Sequence, residues 1–263
     1  MEDIRRGIVG WLVHKKIETK VEGFVVGVSG GIDSAVASAL CAHTGFKTMV
    51  VTLPIDIGNH TYKSARRSLN HIKWLHSRHP NIRHMNINLD STYHALRQAI
   101  PSVATRVNWL AMANMQARLR MTALYTVANH NNLLVCGTGN KIEDFGIGFF
   151  TKHGDGAVDI SPLADLMKSE VYKLADCLGI RKEIREAIPS DDLWANGRSD
   201  VDQIGATYPE LEWAMNYRDA EEWGVQQDAP NERQTEVLAI YDELHAKNYH
   251  KMMMPPKYEI RRI

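Results

Sequence analysis

Apolar residues recur along this chain at two spacings, and the alternation between them outlines an architecture. Ile4, Ile8, Trp11, Leu12 and Ile17 stand at helical intervals among charged residues and predict an amphipathic first helix. Phe24-Val25-Val26-Gly27-Val28 is a short, continuous β-rich run that stops at Ser-Gly-Gly. An Ala-rich stretch from Ile32 to His43 reads as a helix closed by Gly45. Lys47 to Leu53 reads as a second strand, Thr61 to Arg78 as a helix ended by Pro80, and Ile82 to Ile87 as a third strand weakened by His84 and Asn86. A long helix is expected from about Thr105 to Asn129, followed by a fourth strand, Leu133-Leu134-Val135-Cys136, that breaks into Gly137-Thr138-Gly139.

Strands one, two and four are apolar throughout, the mark of a parallel sheet covered on both faces. The expected fold is α/β, a doubly wound Rossmann-like parallel sheet with helices on both faces. One domain is expected over 1–263, with the core sheet in about 21–190 and a polar, helical C-terminal part in about 191–263. Ligands bind such sheets beyond the carboxyl ends of the strands. The breaks after Val28 and after Cys136 fall at those ends.

Composition narrows the function classes. The 263 residues are 44% hydrophobic and 24% charged, and 31 basic residues balance 31 acidic ones. No global field recruits nucleic acid or an anionic membrane, and no run approaches the roughly 18 apolar residues that span a bilayer. Cys41, Cys136 and Cys177 lack CxxC spacing, and each lies in a stretch that reads as core, so reduced thiols and a cytoplasmic location are expected. His76, His79 and His84 lack carboxylate or cysteine companions at zinc spacing and read as solvated surface.

The first Gly-rich break carries chemistry. A strand, the turn Ser29-Gly30-Gly31 and a helix from Ile32 converge backbone N–H groups and a helix dipole on one point, a ready anion site. It is neither GxxxxGK[ST] nor GxGxxG. Asp33 would repel bound phosphate unless a cation lay between, and Mg²⁺ favours one or two carboxylates with phosphate oxygens and water. Ser29 and Ser34 can donate to phosphate. The bland alternative is a glycine turn with an acidic residue stabilising the helix start.

SGGIDS resembles the phosphate loop of the ATP pyrophosphatase (PP-loop) superfamily, whose members split ATP between the α and β phosphates. The loop does not choose among NAD synthetases, GMP synthetases and tRNA-modifying enzymes. The later segments Asn114 to Met121, Gly137 to Glu143, Gly148-Phe149-Phe150-Thr151-Lys152-His153-Gly154-Asp155-Gly156, Asp159 to Lys168 and Ile188-Pro189-Ser190 are similar, in order, to NAD synthetase motifs. The resemblance runs from Val21 to Lys251. It implies the adenine nucleotide alpha hydrolase-like form of the sheet and an ATP-dependent amide-forming ligase. That enzyme would adenylate deamido-NAD and amidate it with ammonia to give NAD, AMP and pyrophosphate, as a homodimer.

Carried over position by position, the resemblance assigns Gly27, Val28, Ser29, Gly30, Gly31, Ile32, Asp33, Ser34, Thr138, Lys168 and Ser190 to ATP. Asp33 and Glu143 fall to Mg²⁺, and Arg118, Lys152, Asp159, His250 and Lys251 to deamido-NAD. Asp33, Asp155 and Lys168 are the catalytic candidates, with Asp155 handling ammonium. Three duller readings stand beside these. Arg118 and Arg120 suit a solvated helix face, Lys152 and Asp155 suit a glycine turn, and His250 and Lys251 adjoin Met252 to Pro256, which reads as a mobile tail. Trp213, Met215 and Trp223 suit a dimer interface or the core equally.

The common family form GTDHAAE is here Gly137-Thr138-Gly139-Asn140-Lys141-Ile142-Glu143, so the contacts of the replaced Asp-His pair do not carry over. The stretch from Asp191 to Asp202 also departs. A fused glutaminase would need about 250 further residues, so free ammonia, or ammonia from a separate partner, is the expected nitrogen donor. Two rivals remain open: another member of the superfamily, and a non-catalytic nucleotide sensor.

Overall fold

The computed structural model describes residues 1–56, 61–101, 108–189 and 199–260. Four strands form one parallel sheet among these residues: β1 Gly23–Gly27, β2 Lys47–Thr52, β3 Ile82–Asn86 and β4 Leu133–Val135, in the order β3-β2-β1-β4. The helices are α1 Glu2–Thr19, α2 Ile32–His43, α3 Thr61–His76, α4 Asp90–Ala99, α5 Trp109–Asn131, α6 Lys168–Cys177, α7 Lys182–Arg185, α8 Asp200–Ile204, α9 Tyr208–Glu222 and α10 Glu232–Met252, with a π-helical turn at Lys141–Ile147.

Alternation along β1 builds the two layers. Phe24 and Val26 point to one face, where Leu12 of α1, most of α2, Ile72 and Leu75 of α3 and Val171 and Leu174 of α6 bury them. Val25 points to the other, under Tyr93 of α4 and Met112, Met115 and Val127 of α5. The helix α2 is buried from Ser34 through Ala42, which its small side chains permit. By contrast β3 is an exposed edge beyond Ile82, as the polar His84 and Asn86 predict. The helix expected from about Thr105 is described from Trp109, where the Asn108 side chain accepts from Ala111 N at 3.1 Å; 102–107 lie outside the described residues.

The chain order β1-β2-β3 runs outward from the centre, and β4 then returns to the other side of β1. The order reverses between β1 and β4, so the two Gly-rich breaks lie side by side. A third apolar cluster joins Ile142 and Ile147 of the π-helical turn to Leu211 of α9 and Val237, Leu238 and Tyr241 of α10. The C-terminal helices therefore brace the turn that follows β4. Met215 belongs to this interior cluster and Trp213 packs on it, whereas Trp223 is exposed.

Two expectations need correction. Cys177 is exposed, because the last turn of α6 lies at the surface with Sγ 3.4 Å from Glu2 Oε2. The remote pair Cys41 and Cys136 meets in the core with 3.5 Å between sulfurs. The segment around His250 and Lys251 is not a loose tail: it is the last turn of α10.

Candidate active site at the carboxyl edge of the sheet

The turn after β1 is held by its own hydroxyls and by α3. Ser34 Oγ donates to Gly31 O at 3.0 Å and accepts from Ser29 N at 3.2 Å, and Gly31 N donates to Ser29 Oγ at 3.2 Å. From α3, Ser68 Oγ donates to Val28 O at 2.9 Å and Arg67 Nε to Gly30 O at 3.1 Å. Gly30 has φ of 92°, and a Cβ there would strike Ser64 O and sit 3.1 Å from Ser68 N. Only glycine suits that position. Ile32 faces the core with 5% exposure, so of the loop residues it serves packing.

Asp33, in the first turn of α2, meets residues from two other segments. Its Oδ1 accepts from Asn140 Nδ2 at 3.0 Å, and its Oδ2 lies 2.7 Å from Lys168 Nζ. The same ammonium is 2.8 Å from Glu143 Oε1. Tyr208 Oη touches both Glu143 Oε1 and Asp200 Oδ2, and the Tyr208 ring lies 4.7 Å beneath Lys168 Nζ. Asn140 is fully buried and also caps the π-helical turn, accepting from Glu143 N at 3.1 Å, so one side chain bonds the Asp33 carboxylate and fixes the backbone that carries Glu143.

Burial opposes the Lys168 charge, but Asp33 and Glu143 outweigh it and hold the ammonium well above its ordinary pKa. Burial raises Glu143, Lys168 pulls it down and Asp33 pushes it up, for a net rise. Burial, then Glu143 and Asp200, raise the Tyr208 phenol far beyond its usual value. Asp144 is raised well above the carboxylate range by burial and by Glu143, Asp155 and Asp33. Asp155 is raised by burial, against a hydrogen bond from Thr151 N at 3.0 Å.

Two cavities flank this cluster and share Ser29, Ser34, Thr138 and Asp155. One, of about 400 Å³, is mainly apolar, with Val51, Leu53, Leu69, Met121 and Leu124 in its wall. Arg120 reaches it and donates to Leu53 O at 3.1 Å, so it is no solvated surface charge. The other, of about 190 Å³, is strongly acidic: Asp33, Glu143, Asp144, Asp155 and Asp200 face Lys168 and Arg67. An apolar cavity, a phosphate loop and an acidic cavity in a row suit a nucleotide base, its phosphates and a cation-assisted reaction.

Arg118, Lys152 and Lys251 meet beside the acidic cavity, together with the main chain of His250. Arg118 of α5 donates to Lys152 O at 3.2 Å, Lys152 Nζ donates to His250 O, and Lys251 Nζ donates to Gly148 O and Phe150 O, each at 2.9 Å. The segment Gly148–Gly156 is thus pinned between α5 and the end of α10. Asp159 stands apart from both cavities: Oδ2 accepts from Val135 N at 2.8 Å and Oδ1 from Tyr125 Oη at 3.1 Å. Ser190 and most of the departure from Asp191 lie outside the described residues.

The sequence model of the NAD synthase family matches residues 4–255. The chain belongs to the NAD synthase family. An NH3-dependent NAD+ synthetase of Carboxydothermus hydrogenoformans is 33% identical over 97% of this chain and 96% of its own. A solved NMN synthetase of Francisella tularensis aligns over 98% of both chains, with 34% identity and a TM-score of 0.83. An NH3-dependent NAD synthetase of Campylobacter jejuni aligns over 98% of both at 22% identity and a TM-score of 0.77, a likeness of fold.

Within this NAD synthase site, sequence reasoning missed Asn140, Tyr208, Asp200 and Arg67. Asn140 is the exception that left a signal: a side-chain cap just after a strand-end glycine and three residues before an acid is a helix-start pattern. Nothing local links Tyr208 or Asp200 to Glu143.

Proposed function

We infer that this chain catalyses ammonia-dependent synthesis of NAD from deamido-NAD and ATP, with release of AMP and pyrophosphate. The observation that carries the reading is the meeting of phosphate loop, acid–lysine cluster and GFFTKHGDG segment at one switch point of the sheet. The adenine of ATP suits the apolar cavity and its phosphates the loop from Gly27 to Ser34, with Thr138 and, by family position, Ser190 beside them. The nicotinate carboxylate attacks the α phosphorus and pyrophosphate leaves. Ammonia then attacks the acyl carbon of the adenylate and AMP leaves. Such transfers depend on positioning and charge neutralisation more than on covalent help from the protein.

Asp33 and Glu143 fit Mg²⁺, being two partly buried carboxylates beside a phosphate loop, with a cation already needed between them. The metal would neutralise charge on the departing pyrophosphate. Lys168 lies between the two acids and supplies a further positive charge beside the loop. Arg118, Lys152, His250 and Lys251 form the basic patch for the dinucleotide, and Asp159, just beyond β4 and bonded to Tyr125 of α5, adds an acidic group. Asp155 stands at the junction of the cavities, where it can attract ammonium. The homodimer is supported by Trp109 and Leu110, exposed at 60% and 59% on the same long helix as Arg118. Three free thiols suit the cytoplasm. One domain over 1–263 is supported by the bracing of the π-helical turn by α9 and α10.

Mass-spectrometric detection of NAD from deamido-NAD, ATP and ammonium tests the reading; synthesis with glutamine alone, or AMP release only with another acid, would overturn it. The likeness to an NMN synthetase supports a second reading, in which the acid is nicotinate mononucleotide. Competition between the two acids at equal concentration decides which is preferred.

A further inference from the structure

Two thiols meet where the reaction as described has no use for them. Cys41 Sγ, in the third turn of α2, donates to Cys136 Sγ at 3.5 Å, and Cys136 directly follows β4. Cys41 has 0% exposure, packed among the small side chains of α2. Cys136 keeps 3% and belongs to the wall of the apolar cavity, with Val135, Gly137 and Thr138. A buried thiol with no path to solvent is inert. Cys136 has such a path when the cavity is empty, and a reagent meets Cys41 only after it has met Cys136.

We propose that Cys41 and Cys136 form a dithiol that a hydroperoxide, entering through the apolar cavity, oxidises to a disulfide that slows turnover, and that nucleotide in the cavity shields it. The shielding rests on the ATP reading above; the pairing rests on geometry alone. Because Cys41 donates and Cys136 accepts, Cys136 is the sulfur that reacts first. It gives up its proton and attacks one peroxide oxygen, the O–O bond breaks, and water leaves a sulfenic acid behind. Burial pushes the Cys41 thiol up, so it keeps its proton until this second step. Cys41 Sγ attacks the Cys136 sulfur, the S–O bond breaks, and the hydroxide leaves with the Cys41 proton as a second water. Two thiols are oxidised by two electrons in all, and the peroxide is reduced to two waters. The sulfurs must close from 3.5 Å to about 2.0 Å. The bond then ties α2, whose first turn carries Asp33, to the strand end that leads to Thr138 and Asn140.

The test exposes wild-type protein to hydrogen peroxide, alkylates the remaining thiols and reads the tryptic peptides by mass spectrometry. Residues 21–47 and 121–141 should appear as one disulfide-linked species. With Mg-ATP at about ten times its Kd, this species should form about tenfold more slowly, because only the empty fraction reacts. The exposed Cys177 is the internal standard, and its oxidation should be indifferent to ATP. Linked protein should turn over at least about tenfold more slowly, since small displacements at a reacting site are costly, and dithiothreitol should restore it. Cys41→Ala should keep wild-type turnover, form no linked peptide and leave on Cys136 a sulfenic acid that dimedone traps. Absence of the linked species from oxidised wild-type protein would overturn the proposal, as would full turnover of linked protein. So would equal rates with and without ATP in a protein that a titration shows to bind it. Failure to bind ATP in that titration would instead remove the nucleotide reading, with the cross-link in unliganded protein still deciding the pair.

Discussion

The phosphate loop and the acid–lysine cluster adjoin each other but are built differently. The loop is fixed by hydrogen bonds among residues a few positions apart, with α3 behind it, and its groups are backbone amides and hydroxyls. The cluster draws Asp33, Asn140, Glu143, Lys168 and Tyr208 from separate segments, and its members stay in place because opposite charges balance. A loop of this kind tolerates loss of a side chain but not a change of backbone conformation. The cluster should respond in the opposite way.

The largest effect is expected where the balance is broken. Lys168→Met leaves two partly buried carboxylates facing each other, which should cost about 3–5 kcal/mol and reduce turnover by at least about a hundredfold. Chemical denaturation and initial rates read both. A pH test addresses the scaffold of the loop. His71 of α3 is buried against Ser38 at 3.0 Å, and burial lowers its pKa to about 4. The unfolded chain takes up this proton from about pH 6.5 while the folded protein does not until about pH 4. Stability is therefore full above pH 6.5 and falls as pH drops through that window, by at most about 3 kcal/mol. His71→Gln should flatten that part of the melting-temperature profile.

Gly30→Ala should cost about 1–3 kcal/mol through strain and the clash with Ser64 O, with a raised KM for ATP. Equal stability would show that the loop can rearrange. Smallest is Tyr208→Phe, which keeps the ring under Lys168 but removes the phenol between Glu143 and Asp200. A loss of about 1 kcal/mol with a severalfold lower kcat is expected. If this change exceeded that of Lys168→Met, hydrogen bonding rather than charge balance would define the cluster.

The same contrast explains what could be read in the sequence. The run Phe24 to Val28, the glycine turn and the helix Ile32–His43 are encoded locally, and the helix bounds agree with the structure. The weak polarity pattern of β3 also matched its exposed edge position. Tyr208 and Asp200 could not be linked to Glu143, because their contact is made by the packing of α9 against the π-helical turn, which no local spacing records. Lys251 beside a Met-Pro run reads as mobile, yet its ammonium donates to two carbonyls of the Gly148 segment. Asp155 and Lys152 followed from the motif; that they meet α10 did not.

The hydrogen bond from Val135 to Asp159 has a consequence for how the molecule behaves in a crowded solution. The short strand β4 ends the sheet on its side, and an open margin of this kind is a template on which another chain can add. Asp159 takes the outward N–H of Val135, while Asp159 N donates to Val135 O and Gly137 N to Ile160 O. A two-residue strip thereby seals the margin with a charged side chain at its tip. Replacing Asp159 would expose a sticky seam as well as altering any substrate contact, so aggregation should be monitored before a kinetic defect is assigned to this residue.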